Sequence, residues 1–202
     1  MLFEDSYQTI SKSSEALFKD RGSKFLAFAF PVQNEEDTKK YLQNLREFHP
    51  KATHHCYAYR LGLDRTCFRV NDDGEPTGTA GKPILNVLYA KNLTNILVVV
   101  VRYFGGTLLG VPGLINAYKQ AATEALYEAE IITEFLIEIY QIHFNYTSMN
   151  EVMKVLKTHH LKIKKQVFDN DCFIEIELRK SMEELILSKL SKIEGTKSIR
   201  IK

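Results

Sequence analysis

Residues 72–113 decide the fold, and they read DDGEPTGTAGKPILNVLYAKNLTNILVVVVRYFGGTLLGVPG. At the centre, residues 96–101 form an apolar run without polar alternation, which is typical of a central strand buried on both faces. A polar, glycine-rich loop at residues 72–81 precedes the run, and a glycine-spaced turn at residues 102–110 follows it. Charged and flexible residues therefore flank the most apolar segment of the chain, and we expect a functional site here.

Length and composition are those of an ordinary globular protein. The chain has 202 residues, 45% of them hydrophobic, and a formal net charge of +2. This balance excludes a strongly basic nucleic-acid arm and an acidic tail. Cys56, Cys67 and Cys172 are widely spaced and form no CxxC pair. We therefore predict free thiols in a reducing compartment, rather than disulfides or a zinc site.

The N-terminal residues MLFEDSYQTI are acidic and lack the basic and then apolar pattern of a signal peptide. No apolar run approaches the roughly 20 residues that cross a bilayer. We therefore expect a cytoplasmic protein without a membrane partner.

The periodicity of the chain changes after Ile132, which predicts an α+β protein with two domains, residues 1–132 and 133–202. The first domain is predicted to alternate strands at 24–32, 55–61 and 95–103 with helices at 34–48, from residue 82 and at 113–130. The second shows the order β-α-β-β-α-β, which is typical of a ferredoxin-like domain. Ser148 and Ser181 are the predicted N-caps of its helices.

The turn after the apolar run is a candidate anion site. Arg102 stands at the carboxyl end of the predicted strand, where α/β architectures place their sites. Gly105 and Gly106 allow backbone amides to approach a ligand such as a phosphate or a carboxylate. The alternative is a tight strand-to-helix crossover that needs glycine only for its geometry, and the residue types alone favour this alternative.

The loop before the run carries acidic residues. Asp72, Asp73 and Glu75 have the oxygen ligands that magnesium prefers. Carboxylates beside glycine and proline more often form turns, and we take that as the default, with Lys82 or Arg102 as ion-pair partners. Although Gly81 and Lys82 are adjacent, the sequence does not fit a phosphate-binding loop.

The pair His54 and His55, next to Cys56, suggests a metal site or a nucleophile. Neighbours in a strand point to opposite faces, so the two histidines cannot easily share an ion. A reactive Cys56 would need a positive group that stabilises its thiolate. We expect hydrogen-bonded core histidines, and we assign neither a metal site nor a catalytic residue.

Several blocks of sequence together resemble the YigZ/IMPACT family, in the family's order. These blocks are RGSKF at residues 21–25, ATHHCYAYR at 52–60, DDGEP at 72–76, TAGKP at 79–83 and VRYFGG at 101–106, followed by Leu109-Gly110. The resemblance implies a first domain like the second domain of a small-subunit ribosomal protein, elongation factor G domain IV and the GHMP kinases, with a left-handed βαβ crossover. It implies a second domain like elongation factor G domain V.

The resemblance also bears on function. The family's eukaryotic members are translation regulators that compete for the activator of a stress kinase, which phosphorylates an initiation factor. Bacteria lack this kinase, so for bacterial members the resemblance implies a nucleic-acid or ribosome-linked role in place of this stress response.

Two hypotheses follow. The favoured one is a non-enzymatic regulator that binds nucleic acid, the ribosome or a translation-linked protein, without a cofactor and with the oligomeric state left open. Its candidate contacts on the first domain are the cations Lys24, Arg60, Lys82 and Arg102 and the aromatic residues Tyr103 and Phe104. On the second domain they are Lys162, Lys164 and Lys165, although a solvated strand face is the preferred interpretation of these lysines. The alternative is an enzyme that acts on a phosphorylated small molecule, with magnesium held by the loop 72–75.

Overall fold

The computed structural model describes residues 5–63, 66–169 and 171–201. They form two compact units, one of residues 7–134 and one of residues 135–201 together with residues 5–6. The boundary predicted after residue 132 lies two residues before this division. In the ranges described, the chain has no helix with the length and apolar character needed to span a membrane.

The first unit alternates strands and helices. Its elements are β1 (Ser6–Ile10), β2 (Ser14–Asp20), β3 (Ser23–Pro31), α1 (Glu35–Phe48), β4 (His54–Leu61), β5 (Cys67–Asn71), α2 (Gly81–Ala90), β6 (Ile96–Tyr103), α3 (Gly110–Tyr127) and β7 (Ile131–Phe135). The main sheet has the order β2-β3-β6-β4-β5, and each neighbouring pair is antiparallel. Strands β1 and β7 pair with each other in a separate sheet.

Strand β6 lies at the centre of the main sheet, and residues 96–101 are fully withdrawn from solvent. Val98 and Val100 belong to one hydrophobic cluster, together with residues of α2 and α3. Leu97, Val99 and Val101 belong to another, together with residues of α1. The helices thus cover both faces of the sheet, as the unbroken apolar run predicts.

The ends of some elements differ from the sequence prediction. Helix α1 begins where expected, because the side chain of Asn34 accepts a hydrogen bond from the backbone N–H of Asp37. Helix α3 begins at Gly110 rather than Gly113, with Pro112 in its first turn, where a missing N–H is tolerated. Strand β2 was not predicted, since its alternating half-buried and exposed positions give only a weak apolar signal.

The second unit is a sheet backed by helices. Its elements are β8 (Ile137–Phe144), a 3₁₀ turn (Tyr146–Ser148), α4 (Met149–Thr158), β9 (Lys162–Val167), β10 (Cys172–Arg179), a 3₁₀ turn (Lys180–Met182), α5 (Glu183–Leu190) and β11 (Lys197–Arg200). The strand order is β11-β8-β10-β9, and all of these pairs are antiparallel. Ile142 and Ile174 of the sheet share a core with Val152 of α4 and Ile186 of α5.

Neither predicted serine caps a helix of this unit through its side chain, although Ser148 stands at the N-cap position of α4 as predicted. The Ser148 hydroxyl donates to the carbonyl of Glu194 (2.8 Å) and leaves α4 without a side-chain cap. Helix α5 begins at Glu183, and the backbone N–H of Ser181 donates to the carboxylate of Asp5 (3.0 Å). In both places a polar group of the serine forms a hydrogen bond with a residue distant in sequence, instead of with the end of the helix.

Candidate functional site

A buried ion pair joins the loop before α2 to the end of β6. Nη1 of Arg102 lies 2.5 Å from Oε1 of Glu75, and the two side chains are 6% and 4% exposed. The hydroxyl of Tyr118, on α3, donates to the same carboxylate oxygen (2.8 Å). Glu75 is thus held by two donors from two other elements, which fixes the loop against the sheet.

His54 lies opposite Arg102 in the antiparallel register of β4 and β6. Its Nδ1 is 2.8 Å from the carbonyl oxygen of Asp73. A carbonyl only accepts, so Nδ1 carries the proton, and in the neutral ring Nε2 is an acceptor. Nε2 lies 3.8 Å from Oε1 of Glu75, which is too far for a hydrogen bond.

The guanidinium of Arg102 is enclosed by further contacts. Its Nη2 lies 3.4 Å from the hydroxyl of Ser23, and that hydroxyl also accepts from the N–H of Gly105 (3.2 Å). The guanidinium carbon lies 5.3 Å from the ring centre of Phe25 and 5.6 Å from that of Phe104. Arg102 is therefore committed to the protein rather than free for a ligand anion.

The two loop aspartates have separate partners. Asp72 accepts hydrogen bonds from the backbone N–H groups of Gly78, Ala80 and Gly81 (2.8–3.0 Å), where α2 begins. Asp72 thus caps this helix from outside its own sequence.

Asp73 contacts the side chain of Arg46 and the backbone N–H of His55, at 2.8 and 2.6 Å. Although burial raises the pKa of Asp73, the hydrogen bonds from Arg46 and His55 lower it overall. The three loop carboxylates do not converge, and in the part of the chain that the structure describes no three metal-ligating side chains cluster.

Cys56 is a buried thiol that contacts oxygen atoms of Asp72 and Tyr118. Its sulfur lies 2.9 Å from the carbonyl oxygen of Asp72 and 3.3 Å from the hydroxyl of Tyr118. Burial raises the pKa of Cys56 far above that of a free thiol, and nearby carboxylates, first that of Glu75, raise it further. The thiolate that a nucleophile needs is therefore disfavoured.

A pocket of about 430 Å³ opens above the ion pair. This volume lies within the usual range for small-ligand sites. The pocket is lined by residues at the start of β4, at the end of β6, in the loop before α2, in the turn before α3 and in α3 itself: Thr53, His54, Glu75, Pro76, Arg102, Phe104, Leu108, Leu109, Gly110, Val111 and Leu114. Its rim is open, since Phe104, Leu108 and Val111 are 47%, 82% and 52% exposed.

The structure does not bring every candidate residue to this pocket. Lys24 and Lys82 are exposed on β3 and α2 and do not line it. Arg60 lies six residues along β4 from His54, roughly 20 Å away in an extended strand. The Arg60 guanidinium donates to the carbonyl of Leu93 (2.8 Å) and stacks on the ring of Tyr89 at 4.5 Å. Arg60 is therefore a structural residue at the far end of the strand.

The glycines of the turn have different roles. A Cβ on Gly105 would lie 1.9 Å from the carbonyl carbon of Gly22, so Gly105 is needed for close backbone packing. Its amide already donates to Ser23. Gly106 adopts φ +87°, which favours glycine, and faces open space. The geometry of the turn thus requires Gly105, and the amide of Gly105 is not free for an anion.

Sequence reasoning missed Ser23, Arg46 and Tyr118. Ser23 and Arg46 have no distinguishing local pattern, because their partners are 79 and 27 residues away. Tyr118 gives a weak signal, since it is a large hydroxyl-bearing residue on the alanine-rich buried face of α3. Tyr103 packs with the core beside α1 and contacts Nδ1 of His49 through its hydroxyl (3.0 Å), whereas Phe104 is half-exposed at the pocket rim.

Comparison with known proteins places this site in a family context. Residues 21–126 match the family model described as the Impact N-terminal domain. The IMPACT family member YvyE of Bacillus subtilis (strain 168) is 34% identical over 159 residues, which cover 79% of this chain and 73% of that protein. The IMPACT family member YigZ of Escherichia coli (strain K12) is 35% identical over 136 residues, 66% of this chain and 67% of that protein.

A solved crystal structure of a hypothetical protein is 26% identical and superposes with a TM-score of 0.73, covering 99% of both chains. The matched family region includes the ion pair of Glu75 and Arg102, as well as His54 and the pocket rim. Because that region covers more than half of the chain, and relatives align over most of their length, the chain belongs to the IMPACT family.

Proposed function

We propose that the protein is a non-enzymatic, translation-associated regulator that acts by binding a translation-linked protein at the pocket above Arg102 and Glu75. Membership of the IMPACT family supports a role in translation, because the family resemblance implies that the eukaryotic members regulate translation. The observation that carries the proposal is the contrast within the pocket. Its floor charges are paired with each other, while its apolar rim is exposed to solvent.

The rim is suited to a protein partner. Exposed apolar side chains around a concave site mark interaction surfaces, since burying them on binding is favourable. Leu108 lies just before α3, Val111 lies in its first turn and Phe104 follows β6, and all three line the pocket. An apolar side chain of the partner would enter the pocket between these residues.

Nucleic acid fits this pocket less well. A phosphate needs an available cation, and the charge of Arg102 is neutralised by Glu75 at 2.5 Å. Lys24 and Lys82 remain exposed, but they lie outside the pocket. We therefore propose that the pocket binds a protein of the ribosome rather than nucleic acid.

An enzymatic role is the second candidate, and one observation favours it. His54 lines the pocket, and because its Nδ1 donates to the carbonyl of Asp73, its Nε2 is an acceptor in the neutral ring, as a general base requires. A phosphorylated substrate with magnesium would raise the melting temperature of the protein by mass action. Unchanged melting with millimolar nucleotide and magnesium would exclude this candidate for nucleotides.

The two units also support the finer fold assignments of the family. In the second unit, the sheet order β11-β8-β10-β9 is that of a split βαβ arrangement, and we infer a ferredoxin-like domain related to elongation factor G domain V. In the first unit, β3 and β4 both pair antiparallel to β6, which lies between them. We infer for this unit the left-handed βαβ fold that the family resemblance implies.

Co-sedimentation with purified ribosomes across a salt series tests the proposal. We expect the native protein to bind, and the variant Leu108→Ser/Val111→Ser to lose most of this binding. Phe48→Ser is the matched control, because Phe48 is 80% exposed, like Leu108 at 82%, but lies on α1 away from the pocket. Binding that survives high salt supports an apolar contact, whereas binding to phosphates weakens steeply.

Two results would contradict the proposal. One is a native protein that does not sediment with ribosomes at any salt concentration. The other is a loss of binding that is equal for Leu108→Ser/Val111→Ser and for Phe48→Ser, because the pocket rim would then have no special role.

A further inference from the structure

The sheet of the second unit has one face without a covering helix of that unit. Helices α4 and α5 pack on the face that carries Ile142, Ile174 and Ile176. The alternate residues point to the other face, which we call the open face. Its central row crosses the strands in register as Val167, Phe173, His143 and Lys197.

Two rings lie together on the open face. His143 and Phe173 are directly opposite in the pairing of β8 and β10, with ring centres 5.6 Å apart. Both side chains are partly exposed, although they occupy the centre of a sheet. Partly exposed rings on two neighbouring central strands form a surface on which nucleic-acid bases can stack.

Cations flank the rings on both sides. The ammonium of Lys165, on β9, lies 5.4 Å from the ring centre of Phe173. Lys197, on β11, is the direct cross-strand neighbour of His143. Both lysines are exposed, and neither forms an ion pair with any residue that the structure describes. They are therefore available to phosphates on each side of the rings.

The acidic groups of the open face already have partners. Glu177 pairs with Lys162 (3.0 Å) and Lys164 (3.3 Å). Glu175 accepts a hydrogen bond from Gln141 (3.3 Å). Lys162, Lys164 and Lys165 are all exposed, as the predicted solvated strand face requires, and Lys165 also lies beside the ring of Phe173. Lys165 and Lys197 place two positive charges beside the rings, against the unneutralised carboxylate of Glu175, and this positive excess complements a polyanion.

We propose that the open face binds single-stranded RNA, with bases stacked on Phe173 and His143 and phosphates held by Lys165 and Lys197. The arrangement of aromatic rings between unpaired cations is that of a single-strand platform. The choice of RNA over DNA rests on the translation-associated function proposed above. The site itself is separate from the pocket of the first unit and can be tested separately.

The test is fluorescence anisotropy of a labelled 12-nucleotide uridine RNA with the full chain, from low to physiological salt. We expect Phe173→Leu, which keeps the apolar bulk and removes the ring, to weaken binding roughly tenfold. Lys165→Gln/Lys197→Gln should weaken it and reduce the salt slope by roughly 1.4, since each single-strand phosphate contact contributes about 0.7. DNA of the same sequence and duplex RNA should bind less tightly.

Matched controls come from the same unit. Lys154→Gln/Lys157→Gln removes the same charge from exposed positions on α4, which covers the other face of the sheet. Tyr146→Leu removes an aromatic ring that is 70% exposed and outside the sheet. Both variants should bind like the native protein, and circular dichroism should show that every variant is folded.

The proposal is overturned if the native protein does not bind the RNA at low salt, or if the controls lose as much affinity as the open-face variants. Equal or tighter binding of the DNA overturns the assignment to RNA. Ribosome co-sedimentation separates this inference from the proposed function. If the native protein sediments with ribosomes but binds no RNA, and Leu108→Ser/Val111→Ser no longer sediments with them, the pocket proposal is supported and the open-face proposal is rejected.

Discussion

Arg102 and Glu75 form a salt bridge of 2.5 Å between side chains that are almost completely buried. The register of β4 and β6 places His54 opposite the arginine, and the loop after β5 brings the glutamate to it. A buried pair of this kind is costly to break, because the remaining charge has no solvent to stabilise it. The pair therefore fixes the geometry of the pocket above it.

Substitution of one partner of this pair should destabilise the protein strongly. We expect Glu75→Gln to lower the free energy of unfolding by about 3–5 kcal/mol, since Arg102 would stay buried without a countercharge. The double variant Glu75→Leu/Arg102→Met should lose less than the sum of the losses of Glu75→Leu and Arg102→Met measured separately. Urea denaturation measures these values, and additive losses would refute the coupling of the two charges.

The two glycines of the turn should respond differently to alanine. Gly105→Ala places a methyl group 1.9 Å from a backbone carbon of Gly22, so the backbone segments at Gly22 and Gly105 must move apart. Gly106→Ala meets no neighbouring atom and costs only the strain of its positive φ, about 1–2 kcal/mol. We expect Gly105→Ala to lower the melting temperature more. An equal effect would show that the approach of Gly105 to Gly22 is not required.

The stability of the protein should decrease as the pH is lowered, because His55 is buried. Burial is the main cause that lowers the pKa of His55 below its ordinary value of 6.5, and the charge of Arg46 adds to it. Below pH 6.5 the unfolded chain therefore binds more protons than the native protein, and stability decreases until the lowered native pKa is passed. Melting temperatures between pH 8 and pH 5 should show this decrease.

The variant His55→Gln should flatten this part of the pH profile. His160→Asn is the control, because His160 is exposed and its positive φ suits asparagine. A profile with the same slope in the native protein and in His55→Gln would assign the decrease to other groups.

The cysteines should differ in reactivity. Cys67 is exposed, whereas Cys56 and Cys172 are buried, and the pKa of Cys56 is raised by burial. A thiol-specific disulfide reagent should therefore modify a single thiol of the native protein rapidly and all three after denaturation. Cys67→Ser should abolish the rapid phase. A rapid reaction that persists in Cys67→Ser would contradict the burial of Cys56.

The local pattern of the chain predicted much of the framework. The apolar run at residues 96–101 predicted a strand covered on both faces, and hydrophobic clusters lie on both of its faces. Asn34 gave the start of α1. These predictions succeed because periodicity and helix capping depend on neighbours in sequence. The edge strand β2 was not predicted, because its positions alternate between partly buried and exposed and give only a weak apolar signal.

The sequence by itself determined the order of the elements, the central strand and the turn glycines of this protein. Only the tertiary structure decided that Glu75 pairs with Arg102, that Tyr118 and Arg46 support the loop, and that Arg60 lies far from the pocket. It also decided which lysines of the second unit stay unpaired. These relationships join residues tens of positions apart, and they arise from strand register and packing, which no local pattern encodes.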